Sequence, residues 1–277
     1  MASSAHRSEG LRRKRLRSAP LWAASLPAAL FLSVPLVALV LRIDPASFWQ
    51  RLSDPTVSSA VALSLSTTLS ATAIVVLLGT PLAYLLARRR FAGRIVLDTL
   101  IDLVIVLPPA VAGIALLVAF GRQGSFWHLL GIRGVQIPFT SLAVVLAQVF
   151  VAGPFYVRSA VVALTEVRAE IEEAAAIDGA TGRQIFQRVT LPLVAPALFA
   201  GMVITWARAL GEFGATIIFA GNFQGTTQTV PLLIYIGFER DPQSAFTLAA
   251  VLLGLAFAVL LIVKVALRRS ITDAIER

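Results

Sequence analysis

The chain has no cysteine and only two histidines, His6 and His128. Disulfide scaffolds, thiolate metal sites and histidine clusters are thereby excluded. It has two lysines, Lys14 and Lys264, and neither follows glycines in the G-x-x-x-x-G-K-[ST] pattern that cradles phosphates. H-E-x-x-H and G-x-S-x-G are missing as well. Hydrolytic or metal chemistry on this polypeptide is unsupported by these motifs, and no catalytic residue or metal ligand is assigned. Charge is also scarce. Charged residues make up 14% of the 277, against about 25% in soluble domains. Hydrophobic residues reach 57% and mean hydropathy is +0.83. So little polar side chain cannot cover a water-exposed globule, which points to an integral membrane protein acting in transport, as a channel or as a scaffold.

Uncharged runs mark the spans: 21–41, 57–87, 103–121, 134–157 and 242–263, with a further apolar stretch from 189 interrupted by Arg208 and Glu212. A helix needs about 20 mostly apolar residues to cross the hydrocarbon core. Six helices are expected, over 21–41, 61–86, 97–120, 139–157, 194–219 and 245–266. A transmembrane β-barrel would show segments of about 10 residues alternating in and out. These runs are continuously apolar and rich in Leu and Ala, so the expected fold is all-α. A basic tail at 1–20 and a short tail at 267–277 flank a transmembrane domain at 21–266. The basic start followed by an apolar run has the look of a secretory leader. That run is longer than a leader core and no A-x-A site closes it, so a retained first helix is expected.

The net charge of +9 would suggest nucleic acid in a soluble protein; here it records arginines gathered on one side of a bilayer, and no nucleic-acid partner is expected. The N-terminal tail, the second connection (Arg88, Arg89, Arg90, Arg94), the fourth (Arg158, Arg168, Arg183, Arg188) and the C-terminal end hold most of the basic residues. The remaining connections hold only Arg42, Arg51, Arg122, Arg133 and Arg240. This bias places both termini in the cytoplasm of a multi-pass protein.

The fourth connection, about 158–192, is not loop-like. Glu166, Glu170 and Glu173 recur at helical spacing, and Glu172 through Ala176 has high helix propensity. Asp178-Gly179 breaks the run, and Thr181 is placed to cap a second short helix containing Arg183. Two short helices around a glycine turn could rest on lipid headgroups or dock another protein. Glu173-Ala174-Ala175, three residues, Gly179, nine residues, then Val189-Thr190-Leu191-Pro192 resembles the E-A-A-x3-G-x9-I-x-L-P signature of ABC-importer permeases, with valine in the isoleucine position. The resemblance implies a coupling segment at 166–192 that inserts into a separate ATPase subunit. Glu173, Ala174, Ala175, Asp178, Gly179 and Arg183 are then the coupling residues, and ATP is bound by the partner with no cofactor on this chain.

A second resemblance narrows the substrate. Arg208 through Thr216, then Phe219 through Asn222 and Gly225 through Leu232, resemble the fifth-helix segment of molybdate, tungstate and sulfate permeases. Asp98 to Asp102, Leu107-Pro108-Pro109 and Val111-Ala112-Gly113 are similar to the molybdate branch. Together the matches cover about 57–266 and imply an ABC type I importer permease of the bacterial inner membrane. The implied assembly is a homodimer with two ATPase subunits on one side and an extracytoplasmic oxyanion-binding protein on the other. The alternatives are a sulfate or thiosulfate permease, and more distantly a secondary transporter that needs no ATPase. The latter would show internal repeats and ionisable groups near the midplane.

Charges inside a span are costly and mark function by default. Arg208 and Glu212, four apart, are expected on one helix face, with Glu212 about 27 Å along a helix starting at Val194. They pair structurally, or Arg208 faces the anion path while Glu212 holds it. With Gly211, Phe213 and Gly214 they form the expected gate. Arg90, Arg94, Asp98 and Asp102 make a stripe at the entrance of the third helix, with Asp102 placed to line the vestibule. Gly79-Thr80-Pro81, Pro108-Pro109-Ala110 and Gly153-Pro154 are expected to interrupt or kink three spans.

Overall fold

The computed structural model describes residues 24–131 and 135–275, with side chains described to Val265. The basic tail at 1–20 and the start of the first expected span lie outside the described residues. Among those described there are helices and no strands. Six helical stretches are long and apolar enough to cross a membrane: Ala24–Leu41, Pro55–Arg88, Pro109–Leu129, Ser141–Glu166, Gly182–Leu210 and Pro242–Val265. The elements in chain order are α1 (Ala24–Leu41), then α2 (Pro45–Leu52), α3 (Pro55–Arg88), α4 (Arg94–Val106), α5 (Pro109–Phe120), α6 (Ser125–Leu129) and α7 (Ser141–Glu166). They continue as α8 (Ala169–Ile177), α9 (Gly182–Ile185), α10 (Leu191–Leu210), α11 (Gly214–Phe219), α12 (Val230–Arg240) and α13 (Pro242–Ile275). The described residues up to Phe48 form one compact unit and those from Trp49 onward a second.

Within the second unit α7 is the central helix. Its first half (Ala143, Val144, Ala147, Val151) packs with Ala112 and Leu116 of α5 and with Ala215 and Phe219 of α11. Its second half (Tyr156, Val157, Ala160, Leu164) packs with Val75, Ala83 and Leu86 of α3, Ile101 of α4 and Val194 of α10. Alanine and glycine make the crossings close. A Cβ on Gly201 of α10 would sit 2.8 Å from the Ser159 side chain, and one on Gly79 of α3 would sit 3.0 Å from the Tyr156 ring. Small residues at such contacts let apolar helices gain dispersion energy where no hydrophobic drive separates them from lipid.

Long apolar helices need defined ends and a place for each hydroxyl. Asp54 caps α3, accepting a bond from the Thr56 N–H at 2.7 Å, with Pro55 in the first turn. Thr140 caps α7 by accepting from the Ala143 N–H. The buried Thr68 and Thr72 donate to the carbonyls of Ser64 and Thr68, each at 2.7 Å, so α3 carries polar side chains at membrane depth without leaving them unpaired.

The helices differ most from the sequence expectation in four places. The third span is not one helix over 97–120, because Leu107 and Pro108 are extended and divide it into α4 and α5. The fifth is not one helix over 194–219, because α10 ends at Leu210 and α11 begins at Gly214. The fourth continues past 157 to Glu166, so Arg158 belongs to a helix rather than to a connection. Helix α12, packed against α13 with Gly237 beside Ala245, was not anticipated. Pro81 and Pro154 lie inside continuous helices, so of the three Gly/Pro positions only Pro108-Pro109 interrupts a span. Arg51 of α2 and Ser244 of α13 both bond Asp241, at the start of α13. The Ser244 hydroxyl first, and then the Arg51 guanidinium, hold the Asp241 carboxyl down at about 2.

Candidate functional site: paired helix breaks and the α8–α9 hairpin

The two interrupted helices meet at their interruptions. A Cβ on Gly214, the first residue of α11, would sit 2.8 Å from Cβ of Pro109, the first residue of α5. One turn on, a Cβ on Gly113 would come within 2.9 Å of the Ala215 carbonyl and of Ile218. Glycine is required at both places because backbone approaches backbone. Irregular backbone at membrane depth is tolerated where it is buried in protein or lines a cavity, and here two such breaks pack on each other.

Glu212 lies within the second break, one residue beyond the cap Gly211, so it does not share a helix with Arg208 as the spacing suggested. The ion pair forms all the same. The Arg208 guanidinium donates to Glu212 Oε2 at 3.0 Å, and Glu212 Oε1 accepts from the Ala215 N–H at 2.8 Å. One carboxylate therefore ties the end of α10 to the first turn of α11, where negative charge is favoured by the exposed N–H groups. Its side chain is 1% exposed, whereas that of Arg208 is 31% exposed and lies 5.9 Å from the Phe155 ring centroid. The glutamate is the fixed half of the pair and the arginine is the half with an open side. The buried hydroxyls of Thr205 and Thr216, on either side of the break, have no hydrogen-bond partner among the described residues. Phe213 stacks at a tilt on Tyr235 of α12, with centroids 5.1 Å apart.

Asp98 and Asp102 are not paired along their own helix. Both are held by Arg158 of α7, at 2.6 Å and 2.7 Å, and the same guanidinium also donates to the Asp98 carbonyl. The four-residue spacing of the aspartates suits this clamp, which a count of charge along the chain does not reveal. Arg158→Met is expected to loosen α4 from α7, with a cost of about 1 kcal/mol because both aspartates are half exposed. Faster hydrogen exchange over 94–106 in detergent would register it, and unchanged exchange would contradict it.

The α8–α9 hairpin is built as its residues suggest. Gly179 has φ of +86°, the Gly179 N–H donates to the Ala176 carbonyl, and the Ala180 N–H donates to the Ala175 carbonyl. This is a Schellman closure, in which a left-handed residue satisfies the last carbonyls of a helix. Thr181 and Gln184 form a reciprocal capping box at the start of α9. Glu173, Ala174, Asp178 and Arg183 are exposed and Ala175 is half buried, while Ile177 beside them is 86% exposed.

The residue anchoring this hairpin is Glu172, which the sequence reading did not single out. Its Oε1 accepts from Arg88 of α3 at 3.1 Å and from the Thr190 hydroxyl at 2.6 Å, and Arg88 also donates to the Val167 carbonyl. Glu172 thus joins α8 to the end of α3 and to the start of α10. Between α9 and α10 the chain passes through a π-helical turn, Phe186–Thr190, a rare geometry often found at functional sites. Glu172→Ala should cost about 2 kcal/mol, the scale of hydrogen bonds to a charged group. The detergent melting temperature would fall accordingly, and an unchanged value would show the anchor to be dispensable.

Residues 79–275 match the family of binding-protein-dependent transport system inner membrane components, and the chain belongs to that family: it is a permease of the ABC importer class, a multi-pass protein of the inner membrane. The molybdenum transport system permease protein ModB of Mycobacterium tuberculosis is 45% identical over 247 residues, covering 87% of this chain and 92% of the relative. The sulfate transport system permease protein CysT of Escherichia coli is 36% identical, covering 83% and 85%. Among solved structures, a bacterial alginate ABC transporter in complex with an alginate pentasaccharide-bound periplasmic protein aligns with a TM-score of 0.72 at 17% identity, covering 94% of this chain and 96% of that one. The fold is that of ABC type I importer permeases.

Proposed function

We propose that this chain forms the membrane path of an ATP-driven importer of molybdate or tungstate. The observation that carries the substrate is its 45% identity to a molybdenum transport permease over 87% of the chain, above the 36% to a sulfate permease. Two copies would enclose the path. A separate ATPase subunit would bind ATP and receive the α8–α9 hairpins, with Glu173, Ala174, Ala175, Asp178, Gly179 and Arg183 at the contact. An extracytoplasmic binding protein would deliver the anion on the opposite face, and both termini would lie in the cytoplasm.

The physical steps follow from the site. Hairpin motion passes through Glu172 to α3 and α10, and from α10 to the break at Gly211-Glu212-Phe213. Rearrangement there shifts α11 against α5, which opens or closes the path. Arg208, one side of which is open, draws the dianion toward the break without a tight site, and the buried Glu212 fixes its position while remaining out of reach of the anion. Asp102, clamped by Arg158, shapes the entrance rather than binding an anion.

The test is uptake of labelled molybdate into proteoliposomes holding the assembled complex, competed with unlabelled tungstate or sulfate. Tungstate should compete at concentrations similar to molybdate and sulfate only at large excess. Sulfate competing as well as molybdate would establish the sulfate reading instead.

A further inference from the structure

The last third of α3 and the α9–α10 junction enclose a groove of about 700 Å3. Val76, Leu77, Pro81 and Tyr84 of α3 form one wall, Phe186 and Leu191 form the other, and Arg89 stands at one end. The rings of Tyr84 and Phe186 meet edge to face with centroids 5.2 Å apart, so the π-helical turn that begins at Phe186 is itself part of the wall. Leu77 is 74% exposed in the single chain, which leaves the apolar part of the groove open on that side.

Polarity changes along its length. From Val76 to Arg89 is about 20 Å at 1.5 Å per residue, and half of the hydrocarbon core is about 15 Å. The groove thus runs from headgroup level to the interior of a single leaflet. Its charge is also unspent. Arg88 is committed to Glu172, whereas the guanidinium of Arg89 has no carboxylate partner among the described residues. Arg90 beside it is exposed and adds a second positive charge at that level.

We propose that this groove binds an anionic phospholipid, with its phosphate on Arg89 and an acyl chain along Val76, Leu77 and Leu191. A small soluble anion has no use for the apolar walls, and a neutral lipid leaves Arg89 unmatched. A lipid seated there braces the turn that joins the α8–α9 hairpin to α10, which makes bilayer composition an input to the transporter. The inference depends on the membrane setting of the helices and is independent of the anion carried.

The full-length permease, purified in detergent, is titrated with phosphatidylglycerol or with phosphatidylcholine, and bound lipid is counted by native mass spectrometry. Phosphatidylglycerol should be retained about fivefold better, the gain from one arginine facing an anionic lipid. Arg89→Gln should erase that preference and Arg89→Lys should keep it. Leu77→Trp, which fills the apolar wall without touching Arg89, should weaken retention of both lipids. Melting temperatures of all variants in the same detergent identify those that are folded. Equal retention of the two lipids by the unaltered protein, or a preference that survives in folded Arg89→Gln, overturns the proposal. Displacement of phosphatidylglycerol by millimolar inorganic phosphate overturns it too, since that marks a site for a soluble anion.

Discussion

Arg208→Met is expected to destabilise the permease by about 3 kcal/mol, the lower end of the range for a broken buried pair, and to reduce uptake severely. The cost arises on the partner's side. Glu212 is only 1% exposed, and without Arg208 its charge keeps, among the described residues, the Ala215 N–H as hydrogen-bond donor. The lower end applies because Arg208 is itself 31% exposed and part of its interaction is screened. Adding Glu212→Gln should restore most of the lost stability. The glutamine is neutral, and its carbonyl oxygen can still accept from the Ala215 N–H. If Arg208 also draws the anion, the double variant melts near the original temperature yet transports poorly. Melting temperature and vesicle uptake measured on the same preparations separate the two roles. Full uptake by the double variant would reduce Arg208 to a packing residue.

Gly179→Val is expected to abolish coupling while leaving the membrane domain folded. Beyond its chain neighbours, no heavy atom of the described residues lies within 4 Å of a Cβ at this position, so the obstacle is the backbone. With φ at +86°, a β-branched L-residue is an outlier, and a left-handed conformation costs roughly 1–2 kcal/mol. Opening the closure turns α9 away from α8. Uptake should fall by roughly tenfold or more with hydrolysis by the ATPase continuing. Gly179→Asn, which tolerates the left-handed region, should retain most uptake. Normal uptake by a correctly inserted Gly179→Val would remove the hairpin from the coupling route.

How much of this was legible in the sequence depended on whether the signal was local. Apolar runs announced the helices because burial in hydrocarbon is a property of each segment. The hairpin could be read to the residue at Gly179 and Thr181, since a left-handed closure and a cap are written in adjacent residues. The meeting of the two breaks was not legible. Pro108-Pro109 and Gly153-Pro154 look alike as dipeptides, yet one divides a helix and the other lies within one; neighbouring helices decide which. Pairings that join α7 to α4 and α3 to α8, such as Arg158 with Asp98 or Arg88 with Glu172, carry no periodic trace. Adjacent glutamates were equally opaque: Glu172 is turned in toward α3 and Thr190, while Glu173 is left on the outer face.

ATP bound on another subunit is expected to drive an oxyanion through this chain. The most direct measurement places the permease with its ATPase subunit in liposomes, with ATP enclosed and the binding protein and labelled molybdate outside. The account predicts accumulation that requires enclosed ATP and stops when ADP replaces it. Accumulation at the same rate without ATP would contradict it and would make this chain a transporter in its own right.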